Sequence, residues 1–227
     1  MNRETKITAL TFSYFALALV LCVAEYFKIT NILLVCKPLL MPLLAILYLL
    51  STKKNCLWYL VSLVFAFFSN VFFLFTDSKL LLYGIIAFLF YRIATIITVL
   101  KKGDPIDWLP LTLATVPFLF IFSYLIYVMV SPSNPSFYPT IINDLIISIF
   151  SGMGLASYVM NDNKKNSWLI ISTLLFTFLV IIFMTENFYF PNEVFKPLSA
   201  VVFALAHYAF YLFVIEADED QTTIDLP

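Results

Sequence analysis

Residues 31–50 read NILLVCKPLLMPLLAILYLL, a run with one charge, Lys37, among almost wholly apolar side chains. As an α-helix this length covers about 30 Å, the thickness of the hydrocarbon core of a bilayer. A helix on the surface of a soluble domain would show a polar face at a period of 3.6 residues, and this run has none. Lipid is therefore the solvent that the stretch is written for. Pro38 and Pro42 lack the N–H groups that would bond the carbonyls of Leu34 and Pro38. Carbonyls freed inside a membrane need partners elsewhere in the protein, so the helix belongs to a bundle and is weakest beside Lys37. A second Lys-Pro pair, Lys196-Pro197, opens another apolar run. At a helix mouth proline is well tolerated, so this pair differs in kind.

The rest of the chain agrees. Of 227 residues, 62% are hydrophobic and 12% charged, against about 45–50% and about 25% in soluble domains. About eight windows are long and apolar enough to span, near 7–27, 31–51, 56–76, 80–100, 109–130, 138–160, 167–186 and 195–215. The short alternating segments of a membrane β-barrel are absent. The sequence thus predicts an all-α membrane protein, a bundle of about eight transmembrane helices forming one domain over residues 1–215. Residues 216–227, EADEDQTTIDLP, are expected to be a disordered acidic tail. The first window is too long for a signal-peptide core and is expected to remain as a helix.

Charge orients the bundle. Arg3, Lys6, Lys53, Lys54, Lys101, Lys102, Lys164 and Lys165 fall on the side of the N-terminus, and only Lys28 and Lys79 occupy loops on the other. By the positive-inside rule both termini are expected in the cytoplasm, in an inner or plasma membrane. The net charge of −1 excludes a nucleic-acid-binding face. Cys22, Cys36 and Cys56 lack metal-ligand spacing and read as small apolar filler, so neither metal nor cofactor is expected.

Seven polar or ionisable residues remain at membrane depth: Lys37, Asn70, Arg92, Asn143, Asp144, Lys196 and His207. A charge at the bilayer centre costs about 2.5–3.5 kcal/mol on insertion scales, so such groups face the bundle interior or a wet cavity. Lys37 and Asp144 lie roughly 9 Å below the outer helix ends and Lys196 is shallower, whereas Arg92 and His207 are nearer the midplane. This pattern predicts a polar pocket open to the outer leaflet. Lys37, Arg92 and Lys196 are candidate phosphate contacts, Asn70 a further substrate-binding group, and Asp144 and His207 candidate acid–base groups. Each also has a plainer reading: Lys196 as a lysine snorkelling to the interface, Asp144 as a structural counter-ion, His207 as a packing histidine. The expected partner is a membrane lipid or lysolipid. A small transporter would line a path to both faces with the same groups, and a purely structural protein would scatter them.

Three stretches resemble the YhhN-like lysoplasmalogenase family of integral membrane proteins. The first is CKPLLMPLL, similar to the family's Lys-Pro segment. The second is FAFFSNVFFLF with YGIIAFLFYR, similar in spacing to a Gly-Asp helix followed by G-x3-F-x3-H. The third is TLLFTFLVIIF with VVFALAHYAFYLFVI, which resembles the closing Ser-Asp and Tyr-x-x-Ala-Gln helices. The resemblance implies hydrolysis of the vinyl ether of lysoplasmalogens to a fatty aldehyde, with the two aspartates as catalytic candidates. Here Ser69-Asn70 replaces Gly-Asp, Leu179-Val180 replaces Ser-Asp, Arg92 takes the place of the histidine and His207 that of the glutamine. Those departures favour a diverged member, active through Asp144 and His207 or retained only for lipid binding. The matched pairs of helices also suggest a faint four-plus-four tandem repeat.

Overall fold

The computed structural model describes residues 2–52, 54–75 and 77–224, with side chains through Asp220. Lys53, one of the charges used for orientation, and the last residues of the tail lie outside the described residues. Among the described residues, eight α-helices account for the fold: α1 (Arg3–Tyr26), α2 (Thr30–Ser51), α3 (Leu57–Phe72), α4 (Ser78–Lys102), α5 (Trp108–Met129), α6 (Phe137–Met160), α7 (Lys164–Met184) and α8 (Phe195–Ile224). Seven segments are long and apolar enough to cross a membrane, α7 counting with a π-helical turn, Thr185–Tyr189, that extends it. The short helix α3 ends at Phe72, before the expected limit of 76. Its Phe-rich sequence remains apolar, but residues 73–75 turn toward α4, whose first turn is capped by the Asp77 carboxylate accepting from the amides of Lys79 and Leu80.

In the bundle, α1, α2, α3, α4, α6, α7 and α8 follow one another around a closed ring, and α8 packs on α1 and also reaches α2 and α4. Helix α5 stands outside the ring against α6. A strict four-plus-four repeat would pair α4 with α5 as α8 pairs with α1. The principal partner of α4 on that side is α6 instead, so the two halves differ in their neighbours. Large apolar side chains cover the outside, with Phe12, Trp108, Phe120 and Tyr127 each more than 70% exposed, as a lipid-facing surface requires.

Between helices, small residues and hydroxyls replace the hydrophobic driving force that lipid cannot supply. The Tyr14 hydroxyl donates to the Ala204 carbonyl at 2.9 Å, Ser172 to Ala206 at 3.1 Å, and Ser151 and Thr177 share a bond of 2.6 Å. Gly152 lets α6 approach α5 so closely that an added Cβ would meet the Thr115 hydroxyl at 2.1 Å and its Cα at 2.9 Å.

Ion pairs fasten the end that carries both termini. The Arg3 guanidinium donates to the carbonyls of Leu50, Ser51 and Thr52, closing the C-terminus of α2. Asp104, between α4 and α5, accepts from Lys165 at 2.7 Å and from Asn166 at 3.1 Å. Burial alone would raise the Asp104 carboxyl, but these hydrogen bonds and the Lys165 charge bring it below its ordinary range. Helix α8 continues past residue 215 to Ile224, which corrects the tail expected to be disordered. The reason is electrostatic: Lys102 pairs with Asp218, Lys164 with Glu216, and Lys165 reaches Asp220 at 3.3 Å, while Thr52 donates to Asp218 at 2.6 Å. Acidic residues that disfavour order in isolation are neutralised here by the lysines that end α4 and begin α7.

Candidate functional site

At the opposite end of the bundle the helices enclose a cavity of about 500 Å³, a size typical of pockets for small ligands. Its position follows from local chain geometry. Helices α1 and α2 join through a tight turn in which Lys28 takes the left-handed conformation, φ 55°, and the Ile29 amide bonds back to the Ala24 carbonyl at 2.9 Å. That turn sets the last helical turn of α1 against α2 and brings Glu25 to Lys37, whose ammonium donates to the Glu25 carboxylate at 3.0 Å. Pro38 and Pro42 lie inside α2 just beyond. The Asn70 amide reaches across from α3 to the Lys37 carbonyl at 3.4 Å, a side-chain donor at the segment where the ladder of α2 is interrupted.

Helix α6 supplies the inner polar wall. Thr140, Asn143 and Asp144 line the cavity from its first two turns, and Asn143 donates to the Ile85 carbonyl of α4 at 3.4 Å. Among the described residues, the Thr140 hydroxyl, the Asn143 carbonyl oxygen and Asp144 Oδ2 are buried without a hydrogen-bond partner. Three unpartnered polar atoms on one wall form a surface prepared for a polar ligand, since each left unpaired costs about 1–3 kcal/mol. The remaining walls are apolar, chiefly Leu33, Phe73, Phe88, Phe183 and Phe203.

Four of the residues expected from sequence therefore converge: Lys37, Asn70, Asp144 and Lys196 all face this one cavity. Positions 70 and 180, where the resemblance expects aspartates, face it together as Asn70 and Val180, and Asp144 contributes a carboxylate from a different helix. Arg92 and His207 do not line it. Arg92 is fully buried, its guanidinium 4.6 Å above the Phe88 ring and 6.0 Å from Phe176, with all three nitrogens lacking acceptors among the described residues. His207 lies with its ring 4.0 Å from that of Phe203 and 5.2 Å from that of Tyr91, its Nδ1 bonded to the Phe203 carbonyl at 2.9 Å. Phe88 and Phe203 thus form a floor between the cavity and these two deeper groups. The cause is depth. A side chain about one and a half to two helical turns below Asp144 ends among the aromatic rings of α4, α7 and α8, and helical side chains lean toward the N-terminus only far enough to reach the turn above.

Two carboxylates at the cavity were not singled out from the sequence. Glu25 stands at the end of an apolar helix where an acid reads as a loop residue, although its spacing from Lys37 across a tight hairpin was an available signal. Glu186 falls in a segment that reads as a polar loop, ENFYF, but it lies in the π-helical turn closing α7 and within electrostatic range of Lys196, Lys37 and Glu25. Single π turns recur at functional sites. At the rim Lys28 pairs with Glu193, whose carboxyl is held below its ordinary value by that hydrogen bond and charge.

Comparison with known proteins agrees with the motif reading. Neither a curated protein nor a solved structure gives a significant match. A sequence model of the YhhN family matches residues 32–214, which spans α2 through most of α8 and includes every cavity-lining helix except α1. The Lys-Pro segment, both positions where the resemblance expects aspartates, and Asp144 all lie inside the match, and the chain belongs to the YhhN family.

Proposed function

We propose that the protein binds a single-chain amphiphile of the lysophospholipid class in this cavity and hydrolyses the vinyl ether of its 1-alkenyl form, with Asp144 as the acid. The observation that carries this reading is the convergence of Lys37, Asn70, Asp144 and Lys196 on one cavity with otherwise apolar walls. Lysines near the mouth suit a phosphate, and the phenylalanine walls suit the chain. In the reaction a carboxylic acid delivers a proton to the outer vinyl carbon, water attacks the resulting oxocarbenium ion, and the hemiacetal collapses to aldehyde and free hydroxyl. Of the three cavity carboxylates, Glu25 is held by Lys37 and Glu186 is half-buried, whereas Asp144 is buried with its Oδ2 unpartnered among the described residues. Arg92 acts on Asp144 from behind Phe88 as a counter-charge rather than as a phosphate ligand. By the positive-inside rule the end bearing both termini faces the cytoplasm and the cavity opens to the outer leaflet.

A second reading is favoured by Asn70 and Val180. Neither can serve as an acid, so the cavity would bind the amphiphile without cleaving it. Aldehyde release from a 1-alkenyl lysophospholipid by the purified protein separates the two. The first reading expects release that Asp144→Asn lowers by about 100-fold or more. Saturable binding without release supports the second. Release unaffected by Asp144→Asn removes Asp144 from the chemistry, and an absence of both binding and release leaves a small transporter as the better reading.

A further inference from the structure

Glu25 has a property that sets it apart from the other charges at the cavity. It lies on α1, ahead of residue 32 where the family match begins, yet its buried carboxylate, 7% exposed, is bonded to the lysine of the family-like Lys-Pro segment. The 3.0 Å contact places Glu25 Oε1 at the distance a ligand phosphate oxygen would take from the same ammonium. Glu186 and Lys196 stand close by, so the inner mouth carries two acids and two lysines whose formal charges cancel. A ligand with net negative charge has either to displace Glu25 from Lys37 or to bring an uncompensated charge into a region of low dielectric.

We propose that Glu25 is a specificity-determining residue, an internal anion that occupies Lys37 and biases the cavity against head groups with net negative charge. Head groups that are neutral or zwitterionic enter without disturbing the balance. The inference rests on the amphiphile-binding reading above and does not require catalysis. Removing the carboxylate leaves Lys37 unpaired and the mouth one charge more positive. Removing both partners restores the balance.

The test uses full-length protein in nanodiscs and two probes of equal chain length, a monoacyl glycerophosphate and a monoacyl glycerophosphocholine. The readout is the ratio of their affinities in each protein, which cancels differences in the folded fraction. Glu25→Gln is expected to shift that ratio toward the glycerophosphate by at least about tenfold, and Glu25→Gln with Lys37→Gln is expected to return it close to the wild-type value. An unchanged ratio in Glu25→Gln, or a shift that persists in the double variant, overturns the proposal and leaves the pair as a clamp between α1 and α2. If wild-type protein binds neither probe, the amphiphile reading fails first and the inference with it.

Discussion

Replacing Gly84 by alanine tests whether the packing of α3 against α4 shapes the cavity. Gly84 faces Phe73 so closely that an added Cβ would lie 2.4 Å from the ring Cε1 and 2.6 Å from Cδ1. Ordinary carbon contacts need about 3.5–4.0 Å, so the ring has to withdraw by about 1 Å. Its back is closed by Phe88 and Phe183, whose rings lie 6.5 Å and 5.3 Å away, and all three rings line the cavity. The free direction is therefore into the ligand space. The same approach is fastened by the Ser69 hydroxyl donating to the Gly84 carbonyl at 3.1 Å, a bond the displacement stretches. Overpacking of this kind costs about 1–3 kcal/mol, which for a chain of this size lowers the thermal midpoint by about 2–12 °C. Thermal unfolding in detergent and binding of a monoacyl phospholipid are the paired readouts. Gly84→Ala is expected to lower both, and Phe73→Leu in the same protein is expected to recover a large part of each. A Gly84→Ala protein of undiminished stability and affinity would refute the packing account, and so would a loss that Phe73→Leu leaves untouched.

Two further outcomes are expected. Asp104→Asn should destabilise the protein by about 1.5–3 kcal/mol, the range for hydrogen bonds to a charged group, with a definite pH dependence. The folded-state carboxyl lies below its unfolded value of about 3.9. Its contribution is therefore complete above that value and lost as pH falls through the folded one. Unfolding measured at a series of pH values should show a gap between wild type and Asp104→Asn that is constant near neutrality and closes in acid, whereas a gap that widens in acid would reverse the assignment. Introducing Asn70→Asp with Val180→Asp places two carboxylates where the resemblance expects aspartates, both facing the cavity. This variant should raise aldehyde release over wild type in the same assay, and an unchanged rate would indicate that those positions do not govern the chemistry.

The helices were legible because a membrane leaves a chain few options. Long apolar runs such as residues 31–50 state their own secondary structure. Helix α3 was harder, since its apolar composition continues past the turn that ends it, and hydropathy has no term for a chain that bends to meet its neighbour. The acidic tail was misread for a related reason: EADED is unfavourable alone and stable beside Lys102, Lys164 and Lys165, partners distant in sequence. At the site, Lys37, Asn70, Asp144 and Lys196 stand out as polar groups in apolar runs, and depth along each helix groups Lys37, Asp144 and Lys196, which line one cavity. Depth could not show that Phe88 and Phe203 screen Arg92 and His207 from the cavity, because that depends on which rotamers the rings adopt. Glu25 escaped notice because its meaning comes from the turn at Lys28, a backbone conformation that a lysine does not announce.

Under the proposed function, the chain of a single-chain amphiphile lies in the cavity at the end of the bundle away from the termini. A lysophospholipid with a photoreactive group on its acyl chain, cross-linked to the protein in nanodiscs and mapped by peptide mass, tests it most directly. Adducts are expected on cavity residues such as Phe73, Phe88 and Phe183, abolished by excess unlabelled lysophospholipid. Adducts confined to lipid-facing positions such as Phe120 and Tyr127 of α5, and insensitive to that competitor, would contradict it.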